Sequence, residues 1–191
     1  MICRLQVRDG RLGVASLTLA ATLVAASANA AAICTEVAPD AAVKAAFLYN
    51  FAKFTEWPAL VDGAPIVVCI VGDELIAAAL ADAVLGKAIN GHAVDVRRAE
   101  DTALWRVCQL LFIAAAEARR SAGELGGIRT LPVLTVSDGK GFADADGMIE
   151  LYVEGERMRF AINIDAVERS GLHLSSRLLG LARIVRNGHG Q

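Results

Sequence analysis

AAVKAAFLYNFAKFTEWP, residues 41–58, carries Phe47, Tyr49, Phe51, Phe54 and Trp57, half of the aromatic residues in the chain. At 100° per residue Val43, Phe47, Phe51, Phe54 and Trp57 fall within an arc of about 120°, the width of one buried helix face. Tyr49, Lys53 and Glu56 point the other way. Asp40 after Pro39 is the expected N-cap, and Pro58 stops the helix because it lacks an N–H and its ring clashes with the preceding turn. Such a stripe reads first as core. Trp57 at the helix end and Tyr49 off the stripe are the two aromatics placed to touch another molecule.

Downstream, the spacing of apolar residues changes character repeatedly. Ile66–Val71 is apolar without alternation, which suggests a strand covered on both faces. Gly72-Asp73 then opens a helix with Leu75, Ile76, Ala79, Leu80, Ala83 and Val84 in register. Asn90-Gly91 is a strong two-residue hairpin signal, because both turn positions need positive φ. A second buried strand is expected at 110–114, a short polar helix at 117–125 ended by Gly126-Gly127, and a strand at 133–137. A Gly- and Asp-rich loop, 138–147, reads as solvated. Segments 148–153 and 158–163 flank Glu154-Gly155-Glu156 as an antiparallel hairpin with one wet face, and 165–170 forms a helical turn broken by Gly171. The last element reads as a helix entered at Ser175 or Ser176 with Leu178, Leu181, Ala182 and Val185 on one stripe. Alternating strands and helices closed by a hairpin give an α/β class: a single layered domain with a mixed β-sheet flanked by helices.

Residues 1–30 have the marks of an export signal. Arg4, Arg8 and Arg11 precede an apolar run of about fifteen residues, short for a bilayer span, and Ala28-Asn29-Ala30 offers a small-x-small cleavage pattern. The alternative is a retained N-terminal anchor. The expected mature domain, 31–191, loses three Arg and one Asp from totals of 19 basic and 21 acidic residues. Its net charge is then about −4, a poor match to nucleic acid.

Export also changes how the cysteines are read, since thiols pair in an oxidising compartment. Cys69 and Cys108 belong to the two apolar runs, and neighbouring strands bring them together as a disulfide; two buried free thiols are the alternative. Cys34 is left either unpaired or joining two chains, and Ile33 before it is too bulky for a lipid-attachment signal.

Catalytic signatures are missing from the sequence. There is no G-x-S-x-G, Walker loop, H-E-x-x-H or strand-linked G-x-G-x-x-G, and His92, His173 and His189 are too scattered to suggest a metal site. Gly139-Lys140-Gly141 is a weak anion signal, and Asp144 with Asp146 lacks the further oxygen ligands of a calcium loop. No cofactor is expected. Leu179 and Ile184 fall outside the buried arc of the last helix, so they either face a partner or a second copy or lie in a helix covered on most sides.

Taken in order, AAFLYNFAKFTEWP, VVCIVGDE, GKAINGHAV, CQLLFIAAAE, PVLTVSDGKGFADADGMIEL and RMRFAINIDAVERSGLHLSSRLLGLARIV resemble the YfiR family of small periplasmic proteins over nearly all of the mature chain. The resemblance implies the Cys69–Cys108 disulfide; some members carry a second one near the Met148 hairpin, but no cysteine follows Cys108 here. It implies a non-enzymatic periplasmic repressor that binds the sensor domain of an inner-membrane diguanylate cyclase, lowering cyclic di-GMP and biofilm formation. It also implies an OmpA-like outer-membrane lipoprotein as a second partner, and a homodimer. A small-molecule-sensing module of another signalling system, with a pocket at the strand ends and the 138–147 loop, is the alternative.

Overall fold

The computed structural model describes residues 39–58 and 60–187. The segment read as an export signal, Cys34 and His189 lie outside them. Among the described residues no helix is long and apolar enough to cross a membrane.

The elements follow in chain order: α1 (Pro39–Lys53), β1 (Thr55–Glu56), β2 (Ile66–Val71), α2 (Glu74–Val84), β3 (Ala88–Ile89), β4 (His92–Arg98), a 3₁₀ helix (Thr102–Val107), β5 (Leu110–Ile113), α3 (Ala115–Arg120) and α4 (Ala122–Gly126). After them come β6 (Leu134–Ser137), β7 (Ile149–Glu154), β8 (Arg157–Asn163), α5 (Ile164–Arg169), β9 (His173–Leu174), α6 (Ser176–Leu179) and β10 (Arg183–Val185).

All six residues of β2 are buried, and the two-residue period of a strand explains how. Val68 and Ile70, with Leu110, Phe112, Leu134 and Val136 of the neighbouring strands, point into a core shared with α1 and α2. Val67, Cys69 and Val71, with Leu111 and Ile113, point the other way, against Trp105, Ala118, Ile128 and Phe142. Helices therefore cover both faces, and an unbroken apolar run is the pattern such a strand needs. The main sheet has eight strands in the order β10-β8-β7-β6-β5-β2-β4-β3, while β1 and β9 form a separate pair. From β4 to β7 the strands are parallel; β3 and β8 run antiparallel to their neighbours β4 and β7, and β10 runs parallel to β8. The mixed layered α/β domain expected from the sequence is the one found.

Asp73 caps α2, its carboxylate accepting from the Ile76 N–H at 2.9 Å. Asn90 and Gly91 take φ of 51° and 87°, the positive pair that a two-residue hairpin turn requires, and join β3 to β4.

Four expectations need correction. The first concerns α1, which starts at Pro39, so Asp40 lies in the first turn and pairs with Lys44 at 2.8 Å instead of capping. The helix also ends four residues early. The Thr55 hydroxyl donates back to the Phe51 carbonyl at 2.7 Å, and the chain turns into β1, leaving Trp57 beyond the helix. The buried face is Ala41, Ala45, Leu48, Phe51 and Ala52, so it is rotated from the aromatic stripe and Val43 is exposed. Small side chains on that face let α1 lie close against α2, whose Ala77 and Ala79 are buried too.

The second correction is at the C-terminus. The expected long helix is the single turn α6, closed by Gly180, and Arg183–Val185 leaves it to pair with β8. Leu181 is exposed and Val185 is in a strand, so the four residues read as a helical stripe share no helix face. Third, the 138–147 loop is not simply solvated, because Phe142 and Ala143 are buried. Fourth, the β7–β8 hairpin is wet at its tip instead of on one face: Ile149–Leu151 and Phe160–Asn163 are buried, and exposure begins toward Gly155.

Candidate functional site

Three regions concentrate polar chemistry or exposed apolar surface. The first lies at the carboxyl ends of β5 and β6. In open α/β sheets ligands gather where successive strands turn to opposite sides of a starting strand, and here β4 and β5 flank β2 in that way. One strand over, Lys44 Nζ lies 2.8 Å from both Asp138 Oδ2 and Asp40 Oδ2. The second oxygen of Asp138 accepts from the Ala115 N–H at 2.8 Å, at the start of α3. Burial alone would lower the Lys44 pKa, but the hydrogen bonds and charges of Asp138 and Asp40 outweigh it and hold the ammonium above its ordinary value. The Gly139 N–H donates to Ser137 Oγ at 3.0 Å, so the amide read as a weak anion signal already has a partner. This crevice is closed by its own ion pairs.

The second region is the 138–147 loop. Asn163, fully buried at the end of β8, accepts from the Ala166 N–H at 3.1 Å and donates Nδ2 to the Ala143 carbonyl at 2.8 Å. Buried Glu150 accepts from the Ala143 N–H at 3.2 Å. Both backbone groups of Ala143 are therefore held by side chains of the hairpin.

Asp146 closes the same loop with φ of 75°, a strained backbone for a non-glycine residue. Its carboxylate accepts from Arg169 at 2.8 Å and from Asn187 at 3.3 Å, and pairs with Arg129 at 3.1 Å. Burial would raise its pKa, yet the hydrogen bonds from Arg169 and Asn187 and the charges of Arg169 and Arg129 win and lower it. A carboxyl depressed in the folded state contributes stability that is present above its unfolded pKa and lost as pH falls through the folded one. Asp146→Asn is accordingly expected to destabilise the protein at pH 7 and to be closer to neutral near pH 2; urea melts of both proteins across that range check it.

Beneath this loop, α3 and α4 leave a cavity of about 90 Å³.

The third region is the β10 edge of the sheet together with the tip of the β7–β8 hairpin. Register places Val153 opposite Met158, and Ile184 beside Ile162, on the same face as Phe160. Val153 is 64 % exposed, Ile184 42 % and Leu181 70 %.

The residues singled out in the sequence divide among these surroundings. Cys69 and Cys108 form a disulfide across the start of β5, with Cα atoms 5.9 Å apart. Trp57 is 9 % exposed, and its indole N–H donates to the Gln109 carbonyl at 3.1 Å. Tyr49 is half-buried under Lys87, whose Nζ lies 5.3 Å from the ring centroid. Leu179 is half-buried against the core, whereas Ile184 is open. Trp57 thus belongs to the core, while Tyr49 and Ile184 lie on different elements, α1 and β10. Gln109 was missed: it accepts the Val67 N–H on its side chain, donates its own N–H to the Val67 carbonyl, and receives Trp57 and Leu134 on its carbonyl. A glutamine beside a cysteine carries no sequence signal for such a role.

Among solved structures, a conserved domain protein from Vibrio cholerae O1 biovar El Tor is similar, at 11% identity and a TM-score of 0.47. The alignment covers 73% of this chain and 59% of that one, so this chain spans about three-fifths of that protein's length. The model of the YfiR/HmsC-like family matches residues 41–183, from the first buried alanine of α1 to the first residue of β10. The chain belongs to the YfiR/HmsC-like family.

Proposed function

We propose that this protein is an exported, non-catalytic regulator that binds the periplasmic sensor domain of an inner-membrane diguanylate cyclase and holds the cyclase inactive. The observation that carries the reading is the family match over 41–183, which supports a periplasmic regulator of cyclic di-GMP signalling. The surface supports a binding role: Ile184 on the edge strand β10, Leu181 just before it and Val153 near the tip of the β7–β8 hairpin expose large apolar side chains, and such surface on a folded domain favours protein contact. In this reading the protein works as a homodimer, and an OmpA-like outer-membrane lipoprotein competes for it.

Deleting the gene is expected to raise cyclic di-GMP and surface attachment, with the rise abolished when the cognate cyclase gene is also deleted. Ile184→Glu should reproduce the deletion, because an unpaired charge buried at an interface costs several kcal/mol. Leu179→Glu probes folding more than contact, since that side chain already packs on the core. Cyclic di-GMP extracted from the strains and quantified by mass spectrometry reads the outcome. An I184E protein that is exported, melts normally and still restrains the cyclase removes Ile184 from the interface.

A further inference from the structure

The cavity between α4 and the 138–147 loop differs from a packing flaw in what lines it. Leu125, Phe142 and Met148 supply apolar walls, and small residues such as Ala118, Ala122 and Gly147 keep the space open. Gly147 is required for this shape, because a Cβ there would stand 2.2 Å from the Phe142 ring and drive it from its place.

The polar groups on the cavity divide unevenly between donors and acceptors. Both oxygens of Asp146 are already used by Arg129, Arg169 and Asn187. Buried Thr135 accepts the Met148 N–H at 3.1 Å on Oγ, and among the described residues its own O–H has no acceptor. Arg129, whose side chain is 46% exposed and thus at the mouth, forms an ion pair with Asp146 at 3.1 Å and leaves N–H donors free for a further acceptor. What remains unfilled is one hydroxyl donor deep in the cavity and a guanidinium at its rim, separated by apolar walls. Asp146 is matched by Arg129 and also by Arg169, which does not line the cavity, so this cluster of three side chains carries one net positive charge.

From this arrangement we infer that the cavity is a binding site for a short-chain organic carboxylate, with the apolar stem between Leu125, Phe142 and Met148 and the carboxylate on Arg129. The size limits the stem to a few carbons, since a cavity of about 150 Å³ is what benzene fills. A longer chain or an aromatic acid does not fit without displacing Phe142. The site is independent of the regulatory reading, because it uses none of the residues assigned to the partner surface.

The test titrates isobutyrate into the full mature protein and follows backbone amide resonances by NMR. Saturable shifts centred on Leu125, Thr135 and Met148 are expected, with isobutanol binding at least roughly ten-fold more weakly because it lacks the charge that Arg129 reads. Arg129→Gln, a change at the surface, should weaken isobutyrate by a similar factor and leave isobutanol unchanged. Ala122→Leu should fill the space and abolish both. No saturable shift at tens of millimolar isobutyrate overturns the proposal, as does equal binding of the acid by wild type and R129Q. Should A122L unfold, the R129Q comparison decides alone.

Discussion

Replacing Cys69 and Cys108 together with alanine is expected to destabilise the protein by about 4 kcal/mol. The bond closes a loop with a sequence separation of 39 residues, and on the chain-entropy account a loop near that length restricts the unfolded chain by this amount. For a domain of this size the loss corresponds to roughly 10 °C in melting temperature. Both sulfurs are buried, at 2 % and 1 % exposure, between β2 and the end of the 3₁₀ helix. Truncation therefore also removes packing against Trp105 and Leu111. Calorimetry of the oxidised, reduced and double-alanine proteins measures the effect. A change below about 1 kcal/mol would show that the bond constrains little beyond what the fold already holds.

Phe51→Ala is expected to cost a similar amount, about 4 kcal/mol, by a different route. Its side chain is fully buried, and its ring stands 5.9 Å from Phe47 and 5.1 Å from Phe160, the latter edge-on. Removing it leaves a cavity where α1 meets the β7–β8 hairpin, and burial loss and cavity together cost 3–5 kcal/mol in such cases. The aromatic pairs add about 1 kcal/mol that an aliphatic replacement cannot restore. Phe51→Leu should therefore recover part of the loss but not all. Since whole-domain stability is typically about 5–15 kcal/mol, the alanine variant is expected to melt at a far lower denaturant concentration in equilibrium unfolding.

The same helix shows what a sequence reveals and what it conceals. Large residues at helical spacing disclosed that α1 exists, but its inner face was set by Ala41, Ala45 and Ala52, whose importance is that they are small. Hydrophobic periodicity weights a residue by size, whereas close approach of two helices rewards its absence. The early end of α1 was hidden for a related reason: it depends on one hydroxyl, Thr55, returning to Phe51, and on the later pairing of β1 with β9.

Long buried strands were legible because two covered faces leave an unmistakable apolar run, and the Asn90-Gly91 turn because few residues tolerate its dihedrals. At the other extreme, β10 is three residues long, too short to display a period of two, and the preceding leucines imposed a helical rhythm on it. That error moved Ile184 from an imagined helix flank to the face of an edge strand beside Ile162, which is still an exposed position. The polar stitching of the 138–147 loop was invisible for another reason. Glu150 and Asn163 appear in sequence as ordinary strand and turn residues, and only the fold brings both to Ala143.

Regulation through protein contact is the centre of this account, and turnover by the target enzyme tests it most directly. The cognate full-length diguanylate cyclase, embedded in liposomes with its sensor domain facing the added protein, should convert GTP to cyclic di-GMP more slowly as the wild-type protein is titrated in. The folded I184E variant should leave that rate near the uninhibited value. An unchanged rate at saturating wild-type protein, with the cyclase active and its sensor domain accessible, would contradict the account.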